Sequence, residues 1–380
     1  MAWRWWDDFD KRFCGKWRSY GIFLNIEFDE KNVNVNFSFN VAYFNQSAFY
    51  VEWSYNSLYF FHNDREWRME YILTYNDDKL KCKRIQRKNN TEEDFEFTRL
   101  SEEEEAKCKY TVAPKDAAKI DILKEYAEYG DVNADVKFEF KFDEHENMLD
   151  ILEKYNLDEL VKDKSDVETA IALMHWFCAR YRHGNPQDGG LAKVRTPQAL
   201  MEYADQHEGR TNCRGLAITL VQLIRAYNIK AFHTTCMPYE QPFDDCHVVV
   251  NVYCENLGKW IMLDPSANLY LKNNAGEIIG VEEFRDILLA DGELFANPES
   301  TNWGNEGNME NLDGYRDYMA KNLMRIERYG ISSYGKDWQG GNVILIPQKY
   351  FDNEAKNFDE TQQKNFITSR EYFWQSDYTH

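Results

Sequence analysis

Thr211-Asn-Cys-Arg-Gly-Leu-Ala-Ile-Thr-Leu-Val-Gln-Leu-Ile-Arg-Ala-Tyr-Asn228 puts a cysteine at the opening of an apolar helix. Leu216, Ala217, Leu220, Val221, Leu223, Ile224 and Tyr227 recur at helical spacing and share one face. Thr211 or Asn212 suits the N-cap, because a short polar side chain accepts from a first-turn N–H. Asn228 suits the left-handed residue that ends the helix. Cys213 therefore sits where unpaired N–H groups and the helix dipole favour negative charge, with Arg214 beside it. Such surroundings lower a thiol pKa and mark Cys213 as a candidate nucleophile.

The chain that follows supplies partners for it. Residues 229–235 read as a strand, 238–245 as a polar loop, and His247-Val-Val-Val-Asn-Val-Tyr-Cys254 as a second strand. Glu255-Asn-Leu-Gly258 is a turn, and Lys259-Trp-Ile-Met-Leu263 returns to Asp264-Pro265. A four-residue loop pairs Cys254 with Lys259, and that register carries His247 opposite residue 266. Asp264 then lies diagonal to His247 on the same face, where backbones are roughly 7–8 Å apart. An imidazole oriented by a carboxylate beside an activated thiol is the arrangement of nucleophilic catalysis.

Residues 167–268 resemble the transglutaminase-like superfamily. The matching motifs are Asn212-Cys-Arg-Gly-Leu-Ala217, Tyr227-Asn-Ile-Lys-Ala231, His247-Val-Val-Val-Asn-Val-Tyr253 and Gly258-Lys-Trp-Ile-Met-Leu-Asp-Pro265. Val248, Val249 and Asn251 stand where members often carry Ala-Trp and a Glu, and the 255–258 turn is longer. The resemblance implies an α+β fold with a papain-like core, a cysteine helix packed on an antiparallel sheet. It also implies Cys213 as nucleophile, His247 as general base and acid, and Asp264 as the orienting carboxylate. The backbone N–H of Cys213 is the natural first oxyanion donor. Asn212, Gln206 and Trp176 are the side-chain candidates.

The implied chemistry is amide acyl transfer through a thioester, on a protein or peptide substrate and with no cofactor. Water as acceptor gives hydrolysis; an amine gives glutamine cross-linking. The absence of a D-x-D-x-D-G calcium loop favours hydrolysis. Two rivals stand beside this reading. One is a zinc site from His233, Cys236, Cys246 and His247, although adjacent Cys246 and His247 point to opposite faces of a strand. The other is an inactive transglutaminase-like binding protein. A Cys236–Cys246 disulfide is open to an exported protein.

The remaining chain frames this site. Net charge is −20, from 65 acidic and 45 basic residues, which disfavours a nucleic-acid partner. No apolar run approaches the roughly 20 residues of a membrane-spanning helix. Met1-Ala-Trp-Arg-Trp-Trp-Asp-Asp8 is not a signal-peptide core, leaving the cytoplasm or secretion with a leader absent from this chain. Among the first 100 residues 25 are aromatic, against 16% chain-wide, so this segment is distinct.

Val33 to Val41 alternates apolar and polar, as do Trp67, Met69, Tyr71, Leu73 and Tyr75 with their neighbours, and Phe95-Glu-Phe97. Asn45-Gln-Ser47 and Asn76-Asp-Asp78 read as turns. An antiparallel barrel or half-barrel of six to eight strands follows. Gly15-Lys-Trp17 resembles the opening of lipocalin-like barrels, implying a cup for an apolar ligand or a surface that recruits substrate. The acidic run Ser101-Glu-Glu-Glu-Glu-Ala-Lys107 and Val112-Ala-Pro114 separate a β-domain at 1–105 from a catalytic domain at 106–380. In the second domain, 136–142, 342–347 and 366–374 read as strands. Helices are expected at 147–156, 166–182, 281–288 and 315–329, with another beginning at Thr196-Pro197.

Overall fold

The computed structural model describes residues 9–19, 22–29, 32–39, 46–48, 50–54, 57–62, 68–87, 90–101, 118–184, 186, 190–241, 243, 245–302, 307–309, 311–336, 338–358 and 360–376. The acidic run after Ser101, the Val112-Ala-Pro114 boundary, Trp67, Asn45 and the chain opening lie outside them. The chain divides into two compact units, residues 1–111 with 240–244, and 112–239 with 245–380. Together they make a mixed α+β protein.

The first unit is one antiparallel sheet of nine described strands. They are β1 (Gly15–Ser19), β2 (Ile22–Asp29), β3 (Asn32–Phe39), β4 (Gln46–Ser47), β5 (Tyr50–Ser54), β6 (Ser57–His62), β7 (Met69–Asn76), β8 (Lys79–Gln86) and β9 (Thr91–Arg99). Their order is β4-β3-β2-β1-β9-β8-β7-β6-β5, and β3 comes against β5, so the sheet curls nearly closed. Alternation sends Trp17, Leu24, Val35, Phe37, Leu58, Phe60, Leu73 and Phe97 inward, where each is 2% exposed or less. Asp77 and Asp78 at φ 47° and 58° make the tight β7–β8 turn that the Asn-Asp-Asp sequence foretells.

The second unit is built on a seven-stranded sheet. Its order is Lys259–Leu263, His247–Cys254, Ala231–Met237, Arg325–Ser332, Gln339–Leu345 and Phe366–Ile367, with Glu139–Phe140 beside Arg325–Ser332. The first five are antiparallel; the two short strands pair in parallel. Helix Cys213–Arg225 lies on the His247 and Ala231 strands, and helices Asp166–Cys178 and Pro197–Gln206 pack against it. Leu216, Ala217, Leu220, Val221, Leu223 and Ile224 are fully buried against Val248, Val250 and Val252. Among the described residues no helix is long and apolar enough to cross a membrane.

Several element boundaries differ from the sequence reading. Only Phe366–Ile367 of 366–374 is strand; Ser369 then accepts from Tyr372 N and caps helix Arg370–Trp374. Only Glu139–Phe140 of 136–142 pairs, against Ile331 and Ser332 at the end of the partner strand. The helix expected over 315–329 is Asp313–Asn322, and the chain turns at once into strand Arg325–Ser332. That strand was hidden because its alternation follows directly on helical spacing.

Candidate active site

Asn212 is the N-cap of the cysteine helix, its Oδ1 accepting from Gly215 N at 2.9 Å. Thr211 does not cap: its hydroxyl donates to Gly190 O at 2.7 Å and ties the helix entrance to the preceding loop. A Cβ on Gly215 would lie 2.2 Å from Thr211 Oγ1, so glycine is required for this approach. Cys213 is thus delivered, half-buried, at the first helical position. Asn228 adopts φ 59° just beyond the helix.

The hairpin register is the one read from its loop, with Cys254 against Lys259 and Val250 against Leu263. His247 opens its strand and lies opposite Cys236 on the other side. Asp264 leaves the ladder in a tight return, exchanging backbone hydrogen bonds with Leu269 at 2.8 and 3.0 Å. His247 Nε2 and Asp264 Oδ2 are 2.6 Å apart, and both residues are at most 1% exposed. With Nε2 engaged by Asp264, Nδ1 is the ring nitrogen left for the thiol, to which His247 is hydrogen-bonded.

A second imidazole reaches the same sulfur. Strand Arg182–His183 runs parallel to Arg210–Thr211 and sets His183 beside Thr211, with Gly184 N donating to Thr211 O at 2.9 Å. The His183 side chain hydrogen-bonds the Cys213 thiol. Burial pushes this thiol up, but His183 and His247 outweigh it and hold it at about 6. For His247, burial favours the neutral ring, whereas Asp264 and Cys213 push it up to about 10. Burial raises Asp264 too, and His247, the Ser266 amide and the Tyr315 hydroxyl together keep it below the ordinary carboxylate value. Thiolate and imidazolium are therefore the stable pair between about 6 and 10.

Two tyrosines from helix Asp313–Asn322 complete the surroundings. Tyr315 donates to Asp264 Oδ2 at 2.8 Å, and Ser266 N donates to Oδ1 at 2.9 Å. Tyr318 sets its ring edge-on to His247, centroids 5.6 Å apart, with its hydroxyl 3.3 Å from Asp245 Oδ1 and Cys246 O. Sequence reading assigned neither tyrosine nor His183 a role. The only advance signal was His183 in a Gly/Pro-rich loop before the cysteine; the tyrosines had none.

The oxyanion candidates have different surroundings. Asn212 spends its carboxamide oxygen on the cap, while Gln206 is exposed and bonds Glu202 at 3.4 Å. Trp176 lies edge-on to Tyr155 and under Arg180, with a buried Nε1–H that has no partner among the described residues. Cys236 and Cys246 are both thiols, each pushed up by burial. Among the described residues no three His, Cys, Asp or Glu side chains converge as metal ligands.

No family model matches this chain, and no curated protein does. Among solved structures it is similar to a candidate cysteine protease from Cytophaga hutchinsonii, with 17% identity and TM-score 0.24 over 43% of this chain and 55% of that one. It is also similar to EGTA-treated LapG from Legionella pneumophila, with 14% identity and TM-score 0.26 over 51% of this chain and all of that one. A third similar structure is red sea bream transglutaminase, with 10% identity and TM-score 0.26 over 93% of this chain and 58% of that one. The chain spans about half the length of the first of these.

Proposed function

We propose that this protein is a cysteine-dependent amide hydrolase acting on proteins or peptides, with a papain-like catalytic core of transglutaminase type in residues 106–380. The observation that carries the reading is the Cys213 thiol held by two imidazoles, one of them bonded at 2.6 Å to a buried carboxylate. A thiolate at neutral pH beside a protonated imidazole is the ground state such chemistry needs.

Cys213 Sγ attacks the amide carbonyl, and the carbonyl π pair moves to oxygen. When the tetrahedral intermediate collapses, the C–N bond breaks and His247 gives its Nδ1 proton to the leaving amine. The products of this half are a thioester and neutral His247. Water then attacks the thioester, His247 takes its proton, and the acid departs as the thiolate–imidazolium pair returns. Throughout, Asp264 holds the ring at Nε2 and stabilises its charged form. The Cys213 backbone N–H, at the positive end of its helix, is placed to receive the oxyanion.

An amine in place of water would make the same thioester a cross-linking intermediate. Incubation with a peptide mixture and a primary amine, followed by mass spectrometry against Cys213→Ala, separates the outcomes. Chain cleavage dependent on Cys213 is expected. Amine incorporation with loss of ammonia would replace hydrolysis by transfer, and no Cys213-dependent product would leave a binding protein. The described residues of the barrel fill its interior with their own aliphatic and aromatic side chains, which supports a compact recognition module over a lipocalin-like cup for an apolar ligand.

A further inference from the structure

Helix Asp313–Asn322 places Tyr315 51 residues beyond Asp264, yet Tyr315 delivers its hydroxyl to the carboxylate oxygen that His247 uses. Tyr315 is 4% exposed and its ring stacks on Phe284, centroids 6.0 Å apart and planes 5° from parallel. The ring is therefore held by packing, and its hydroxyl is aimed by that packing. Asp264 Oδ1 is occupied by the Ser266 amide, so both donors of variable strength meet on Oδ2. Two donors on one oxygen compete for its electron density, and each weakens the bond the other can make.

We propose that Tyr315 is a positioning residue of the Cys213 site, and that by sharing Asp264 Oδ2 it moderates the hold of the carboxylate on the His247 imidazolium. This rests on the thiol-nucleophile reading. The benefit is chemical. An imidazolium gripped too firmly is a poor acid toward a leaving amine, and general acids work best when their proton is ready to leave near the operating pH. Tyr315 thus weakens the ion pair slightly and improves proton delivery.

The other groups facing this cluster stay protonated in the relevant range. Burial and Asp264 push the Cys178 thiol up, burial pushes Cys236 up with Asp264 adding to it, and burial and Asp264 keep Tyr315 a phenol. Around Cys213 the groups are His183, His247, Tyr318, which is pushed up, and Cys246, pushed up to about 11. His183 and His247 are thus the imidazoles that face the thiol.

The test needs no known substrate. Alkylation of the full chain by iodoacetamide is followed from pH 4.5 to 8, with Cys213 located by peptide mass mapping and Cys213→Ala as the blank. In the native protein the Cys213 labelling midpoint is expected near 6. Tyr315→Phe keeps the ring stack and removes only the donor, so the midpoint should fall by about half a pH unit, roughly threefold more thiolate on the acid limb. Replacing Tyr315 by 3,5-difluorotyrosine, an almost isosteric and stronger donor, should move it upward. A midpoint unchanged or raised in Tyr315→Phe overturns the proposal. Should that variant not fold, the difluorotyrosine protein decides alone: an unchanged or lowered midpoint overturns it. A native midpoint at the ordinary thiol value would instead overturn the nucleophile reading itself.

Discussion

The two units bury different things. Inside the barrel the buried described residues are nearly all apolar, Ser19 and Glu70 excepted, and Glu70 is held by Arg87 at 2.6 Å. The second unit buries Asp264, His247, His233, Glu144 and four arginines, Arg225, Arg285, Arg325 and Arg328. Removing charge from water is costly, so each such group must be engaged elsewhere. All four arginines answer that need with backbone carbonyls or carboxylates: Arg285 donates to Tyr126 and Ala127, Arg325 to Pro238, Arg328 to Phe373 O at 2.6 Å, and Arg225 to Glu144 at 2.5 Å. Arg328 also lies 3.8 Å from the ring centres of Phe138 and Phe232. The barrel, stabilised by alternation, buries one described carboxylate, whereas the unit that carries His247 and Asp264 buries several charged groups.

That contrast can be broken at its strongest point first. Cys213→Ala should abolish turnover, on the order of 10⁶-fold, while leaving the melting temperature nearly unchanged, as measured by product formation and calorimetry. The barrel's counterpart is Trp17, fully buried with its Nε1–H on Phe13 O at 2.8 Å. Trp17→Ala should cost the barrel about 3–5 kcal/mol in chemical denaturation, because a large cavity and an orphaned carbonyl remain.

A smaller effect sharpens the electrostatic side. The thiol is lowered to about 6, so reactivity should rise with pH through 6. His247 is raised to about 10, so the imidazolium acid, and turnover with it, should be lost as pH passes 10. His183→Ala removes one of the two imidazoles that lower the thiol, and should carry the rising limb up by about one pH unit. Alkylation rates across pH read the rising limb, and product formation reads the falling one. Smallest of all, Lys83→Ala breaks an exposed cross-strand pair with Glu92 at 2.9 Å. It should leave the midpoint of chemical denaturation nearly unchanged, since solvent already screens both charges.

Much of the site is legible in the residues alone. The cap at Asn212, the helix from Cys213, the left-handed Asn228 and the hairpin pairing of Cys254 with Lys259 are local consequences of residue type and loop length. A period of 3.6 or 2 writes itself into neighbouring residues, and a short loop leaves few registers. Phe366–Trp374 misled because an aromatic run suits a strand or a buried helix equally, and the Ser369 cap decided between them. His183 reached the thiol through a two-residue parallel pairing too short to leave any pattern.

By itself, then, the sequence determined an alternating β-unit, a cysteine helix, and a hairpin that sets a histidine and an aspartate on one face. Only tertiary structure decided what surrounds them. Tyr315 and Tyr318 arrive from a helix whose own spacing records a buried face without saying which carboxylate or imidazole lies beneath it. Periodicity encodes that a side chain is buried; its partner is chosen by packing between distant segments, and that choice has no local signature.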